Sequence, residues 1–252
     1  MTRSTGIPTW IDLGTTDLEG VKPFYVELFG WNFEDAGEQF GHYNMITKEG
    51  GLVGGAMDLN HLPGAAPDNQ PSTWDVFLAV DDVEKRHALA LQQGASSLFG
   101  PSEVGPAGRC ATVADPTGAT VAMWQAGDTE GYSFTGRPGT AIWFELVTTD
   151  MAAASAFYTE VFEFNHVAMD DDYATNGPVD EATSGMMRSE DGASYWQITV
   201  AVSDIAAALD RTTELGGQLV KVPADSPWGP FATIADPQGA RLLVMQPPAN
   251  AS

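Results

Sequence analysis

Cysteine is nearly missing from this chain. Cys110 is the only one, so an internal disulfide is impossible and nothing suggests a disulfide-built secreted fold. Positive charge is scarce too, with 11 Lys and Arg against 34 Asp and Glu, a formal net charge of −23. Such a chain repels phosphate backbones and anionic lipid at long range, so neither nucleic acid nor a bare membrane surface is an expected partner. No stretch approaches the roughly 18 consecutive apolar residues of a membrane helix, and the first ten residues carry one Arg with no apolar run behind it, unlike a secretory signal. Together these absences predict a soluble, cytoplasmic protein. Phosphate loops, nucleophile elbows, dinucleotide fingerprints and zinc-protease helices are also missing, so no cofactor is predicted.

What is present suffices for a substantial core. The 252 residues are 43% hydrophobic, which allows one large domain or two of ordinary size. The acidity reads first as a solubility adaptation of a solvated surface.

The chain repeats itself. Gly6, Trp10, Leu13 and Thr15-Thr16-Asp17 recur as Gly139, Trp143, Leu146 and Thr148-Thr149-Asp150 at an offset of 133. Phe24-Tyr25, Phe29 and Asn32 recur as Phe157-Tyr158, Phe162 and Asn165 at the same offset. Farther on, Trp74, Val80 and Gly94 match Trp196, Val202 and Gly216 at an offset of 122. Near the end, Asp115-Pro116-Thr117-Gly118 matches Asp236-Pro237-Gln238-Gly239 at an offset of 121. Matches this collinear describe two copies of one domain, residues 6–127 and 139–247, with 128–138 as a linker.

Each copy reads as two similar units. An alternating strand from Trp10 leads into Thr16-Asp17-Leu18-Glu19, a capping box that opens a helix. Leu18, Val21, Tyr25 and Leu28 then fall at helical spacing, while Pro23 predicts a kink or a delayed start. Strands are predicted over 31–35, 40–47 and 52–58. Residues 73–80 begin the pattern again, with a helix over 82–93 that Gly94 ends. The last strands are predicted around 110–114 and 120–125. The order is strand, helix, then several strands, four times.

A doubled unit of this kind, with Asp-Pro-x-Gly before its last strand, resembles the vicinal oxygen chelate superfamily, which includes glyoxalase I, bleomycin-resistance proteins and extradiol dioxygenases. The resemblance covers nearly residues 6–247 and is stronger still to tandem-domain glyoxalase-like proteins of actinobacteria. It implies an α+β fold of two tandem domains, each a pair of βαβββ units forming a half-open barrel with its ligand on the concave face. It also implies metal-ligand places at Trp10 and Trp143, Asp75 and Gln197, and Ala122 and Leu243, with a further one on the fourth strand within 55–58 and 185–188 whose register the sequence leaves open. Trp, Ala and Leu cannot hold a hard or borderline cation, so no metal site is expected. His61 and His87 are expected at the surface, and His42 and His166 on strands away from those places.

Alternation along a strand puts Asp12 on the face of Trp10, and Glu145 on that of Trp143. A carboxylate in an apolar barrel is costly unless it is paired or does chemistry, and both copies place one there. Asp12 and Glu145 are therefore candidate acid–base groups. Trp10, Asp75, Arg109, Trp124, Trp143 and Gln197 are candidate ligand contacts, and Trp74 and Trp196 are further barrel-strand aromatics. Arg109, matched by Pro230, has a ligand anion, Asp12 or Asp75 as its possible partners. The first copy is expected to be the better site for chemistry or charge recognition. Two functions stay open: a metal-independent binder of a small apolar or aromatic molecule, or an enzyme, either a glyoxalase-like lyase or a metal-free tailoring enzyme of secondary metabolism. A structural protein whose cavities its own Trp and Met fill is a third. The oligomeric state is open.

Overall fold

The computed structural model describes residues 3–61, 72–132 and 136–248. The first copy runs β1 (Pro8–Thr15), α1 (Leu18–Phe29), β2 (Asn32–Asp35), β3 (Asn44–Lys48), β4 (Gly51–Asp58), β5 (Thr73–Ala79), α2 (Val83–Gln92), β6 (Ser96–Glu103), β7 (Gly108–Ala114) and β8 (Thr120–Ala126). The second repeats it as β9 (Ala141–Thr148), α3 (Met151–Phe162), β10 (Val167–Ala168), β11 (Tyr173–Thr175), β12 (Gly185–Arg188), β13 (Tyr195–Ala201), α4 (Ile205–Glu214), β14 (Gln218–Ala224), β15 (Phe231–Ala235) and β16 (Arg241–Met245).

An aspartate begins each of these helices. Asp17, Asp82, Asp150 and Asp204 accept from backbone N–H groups of the first turn at 3.0 Å, where a negative side chain both satisfies orphan donors and suits the helix dipole. α1 runs unbroken through Pro23, whose side chain is exposed. It ends at Gly30 in the left-handed conformation (φ 69°). The matching end of α3 uses Glu163 at φ 61°, a conformation that costs a side-chain residue strain. Its carboxylate is held by Arg86, which also donates to the Val161 carbonyl at 3.0 Å and the Asp81 carboxylate at 2.7 Å.

The two domains have the same strand order, β2-β3-β4-β1-β5-β8-β7-β6 and β10-β11-β12-β9-β13-β16-β15-β14. Each sheet joins two βαβββ units in the half-open barrel arrangement, with β1–β4, β5–β8, β9–β12 and β13–β16 pairing in parallel. Buried Ile11, Leu13, Phe144 and Leu146 take one face of their strands, leaving Trp10, Asp12, Trp143 and Glu145 on the other.

Packing does not follow the two copies. One compact unit takes the chain up to Trp10 with Asp75–Gly131 and Trp143–Gln197; the other takes Ile11–Trp74, Tyr132–Ile142 and the chain from Ile198. Each unit thus combines a βαβββ unit from either copy, with α2 against α3 in one and α1 against α4 in the other. A buried relay ties the copies together inside each. In one, Trp196 Nε1 donates to Tyr158 Oη (2.8 Å), which donates to Asp115 (3.1 Å). In the other, Trp74 Nε1 donates to Tyr25 Oη (2.9 Å), which donates to Asp236 (2.8 Å). The second oxygen of each aspartate gathers N–H donors of its own Asp-Pro-x-Gly turn at 2.7–3.0 Å. The Phe-Tyr pair of one copy therefore reads the Asp-Pro-x-Gly turn of the other.

These contacts correct several expectations. Trp74 and Trp196 lie on β5 and β13 as expected, but as buried core, their indoles donating to tyrosine hydroxyls of the helices. His87 is buried, with Nε2 2.8 Å from Ser97 Oγ, because β6, a strand not foreseen, passes alongside α2. His42 lies in a turn at φ 58°, 2.9 Å from Asp35, and His166 just precedes β10; neither is on a strand.

Candidate functional site

On the first sheet, Asp12 of β1 lies opposite Gly55 of the parallel strand β4, and Tyr43, just before β3, donates its hydroxyl to Asp12 Oδ1 at 2.8 Å. The second sheet repeats the arrangement. Glu145 of β9 lies opposite Gly185 of β12, and Tyr173 of β11 donates to Glu145 Oε1 at 3.0 Å. Glycine is needed at both places because the tyrosine crosses the neighbouring backbone. A Cβ on Gly55 would overlap the Tyr43 hydroxyl, and one on Gly185 the Tyr173 hydroxyl.

The second-sheet cluster is the more elaborate. Gln197 donates from Nε2 to Glu145 Oε2 at 2.8 Å, and Trp143 Nε1 donates to the Tyr173 oxygen at 3.2 Å. Burial, then the Glu145 charge, push the Tyr173 hydroxyl well above its ordinary range, so it stays a proton donor to the carboxylate. Trp143, Glu145, Tyr173 and Gln197 are all half-buried, so their outer edges stay accessible. A carboxylate has about four lone-pair sites. With two engaged here, Glu145 can still accept from a ligand.

Trp10 is buried and Trp124 half-buried, the latter donating to the Thr129 carbonyl at 2.9 Å. Gln125, one residue on, caps α2 by accepting from Val83 N at 2.9 Å, so alternation turns Trp124 to the sheet face away from α2. Asp75 is half-buried on β5, and burial raises its pKa from 3.8 to about 6. Arg109 is placed elsewhere. It follows the Gln125 side of its pair and forms an ion pair with Glu84 of α2, so the structure does not bring it to Asp12 or Asp75. Tyr43 and Tyr173 escaped the sequence reading, as did the part played by Gly55 and Gly185, which it had only bracketed within 55–58 and 185–188. Their signal was there, since both pairs recur at an offset of 130.

The repeated fold has known counterparts. A family model for the glyoxalase/bleomycin resistance protein/dioxygenase superfamily matches residues 7–123 and again 140–244. The chain belongs to that superfamily. It is 35% identical to "Putative glyoxylase CFP32" of Mycobacterium tuberculosis (strain CDC 1551 / Oshkosh), covering 96% of this chain and 95% of that protein. It is 32% identical to "Anthracycline biosynthesis protein DnrV" of Streptomyces peucetius, covering 98% and 95%. Among solved structures, the 2,3-dioxygenase LapB from Pseudomonas sp. KL28 aligns at a TM-score of 0.65 and 15% identity over 99% of this chain and 96% of that one. The Mn(II)-bound glyoxalase from Novosphingobium aromaticivorans aligns at 0.64 and 15% over 98% and 83%. At these identities the structures show the fold alone.

The side chains here do not fit the metal that the superfamily suggests. The pairing of Asp12 with Gly55 and Glu145 with Gly185 settles the fourth-strand register: Gly55 with Met57, and Gly185 with Met187, share the face of the carboxylates. Neither glycine nor a thioether replaces an imidazole or carboxylate. Among the described residues no group of three or more His, Cys, Asp and Glu is gathered so as to hold a metal ion.

Proposed function

We propose that the chain is a metal-independent small-molecule binder, taking a flat apolar or aromatic molecule on its concave faces with the carboxylate–tyrosine pairs as polar anchors. The observation that carries this is the Glu145–Tyr173 pair, seated over Gly185 and steadied by Gln197 and Trp143. A half-buried carboxylate held by neutral donors, beside an indole, offers directional acceptors next to an apolar surface. The anchor calls for a ligand with hydroxyl or amino hydrogens. The name of the Streptomyces relative, an anthracycline biosynthesis protein, agrees with a flat polycyclic ligand.

Native mass spectrometry of the purified protein tests this. The expected result is binding of an aromatic ligand without a stoichiometric transition metal, weakened by Glu145→Gln. One tightly held metal ion per domain would overturn the reading. A second reading, an enzyme using Asp12 and Glu145 as acid–base groups, draws on the phenol–carboxylate hydrogen bonds and on the glyoxylase name of the mycobacterial relative. Turnover of glutathione-conjugated methylglyoxal that stops with Glu145→Gln would favour it.

A further inference from the structure

We propose that Asp75 is a recognition site for an organic cation, a protonated amine carried on a flat apolar body. This rests on the reading that the concave faces bind small molecules, and it names the ligand class for one of them.

The argument begins with partners. Glu145 is held by Tyr173 and Gln197, and Asp12 by Tyr43. Asp75 has no hydrogen bond or ion pair to any described residue, and burial alone shifts its proton affinity. An unpaired, half-buried carboxylate is costly to keep ionised, and such groups concentrate at functional sites.

Its surroundings define the use. Alternation along β5 puts Asp75, Phe77 and Ala79 on one face. The register with β8 sets Ala122 beside Phe77 and Trp124 beside Ala79, and β7 adds Thr112 opposite Ala122. Across β5, β8 and β7 this face is apolar and aromatic with Asp75 as its one acid, Asp12 standing on β1 of the same sheet. The cation of β7, Arg109, is spent on Glu84. A ligand ammonium would supply the missing countercharge, and its flat body would lie against Phe77 and Trp124, where cation–π attraction adds to burial. The second copy has Gln197 in the place of Asp75. Its amide is neutral and already donates to Glu145, so that sheet has no such demand for charge.

Two matched probes decide the matter: 9-(aminomethyl)anthracene, a cation at neutral pH, and 9-anthracenemethanol, its neutral counterpart. Isothermal titration of the full chain is run at about 0.3 M NaCl to screen the overall negative charge. The amine is expected to bind on the order of tenfold tighter than the alcohol, from ion pairing and cation–π contact in a part-desolvated site. Asp75→Asn and Asp75→Ala should bring that ratio close to one while leaving the alcohol's affinity in place, and Asp225→Asn, which removes an exposed charge, should not alter it. Equal affinities for the native protein, or a ratio that survives both Asp75 variants, overturn the inference; alcohol binding that persists in that case leaves the small-molecule reading standing. Failure of both probes to bind overturns the inference as well, and the binding reading then stands or falls by native mass spectrometry.

Discussion

Tyr173 and Glu145 meet only because Gly185 lets the tyrosine pass close over its backbone. A methyl group there must displace the hydroxyl. Gly185→Ala should destabilise the protein by about 1–3 kcal/mol, the usual scale of overpacking, and should weaken ligand binding along with it. Urea unfolding and titration with an anthracene probe on the same samples test this; a variant that binds as tightly as the native protein removes Tyr173 from the anchor. Asp75 gives a second test at this scale. Its folded pKa of about 6 lies above its ordinary 3.8, so between those values the folded state binds more protons than the unfolded one. Stability contributed by protonation is thus present at low pH and lost as pH rises through about 6. The shift corresponds to roughly 3 kcal/mol when complete. Asp75→Asn, neutral throughout, should be the more stable protein at pH 7, with its advantage growing as pH rises from about 4 to 7. An advantage that does not change with pH would mean that Asp75 is effectively solvated.

At the scale of elements, the helices are fastened by buried side-chain relays. The Tyr25 hydroxyl serves Asp236 and Trp74, and the Tyr158 hydroxyl serves Asp115 and Trp196. Both tyrosines are fully buried, so water cannot replace a missing hydroxyl. Tyr25→Phe and Tyr158→Phe should each cost about 1–3 kcal/mol, since each leaves an indole N–H without its acceptor and a buried carboxylate short of one donor. Denaturant unfolding reads the loss directly; a change below about 0.5 kcal/mol, the range of ordinary surface substitutions, would show that the relay is not fastening the helices. The edge strands tell a different story. Leu98 and Phe99 on β6 and Val222 on β14 are exposed, and each strand carries a proline, Pro101 or Pro223, which blunts edge-to-edge pairing.

For the whole molecule, the pairing of α1 with α4 and of α2 with α3 means that each compact unit needs both copies. We propose that a fragment of residues 3–127 is not a stable monomer, because Tyr25 would lack Asp236 and Asp115 would lack Tyr158. It carries one of each group, however, and two identical fragments could satisfy each other. Light scattering after size exclusion should find the fragment as a dimer or aggregated, and mixing it with 139–248 should restore a one-to-one complex. A cooperatively folded monomer of either fragment would refute the account.

The repeat, the order of helices and the superfamily were legible from the sequence, because helical spacing and Asp-Pro-x-Gly turns act over a few residues and leave a local mark. But α1 is capped by Asp17 through the Gly20 N–H and not by the expected Thr16–Glu19 box. Alternation put Asp12 and Glu145 on the faces of Trp10 and Trp143, whereas Asp75 came from the resemblance, as the place that opens the second unit. β6 was missed because Ser96-Ser97 and Gly100-Pro101 have turn chemistry, and only the partner strand β7 makes them a strand. Which way Trp74, Trp196 and Arg109 turn depended on hydroxyls and carboxylates that other elements bring up to them. The Tyr43–Asp12 and Tyr173–Glu145 pairs stood at matching places in both copies, yet nothing in either residue predicts a contact across 31 or 28 positions. Local pattern determined the elements, while the choice of partners fell to tertiary structure, since a buried polar group takes whatever donor or acceptor the fold carries within reach.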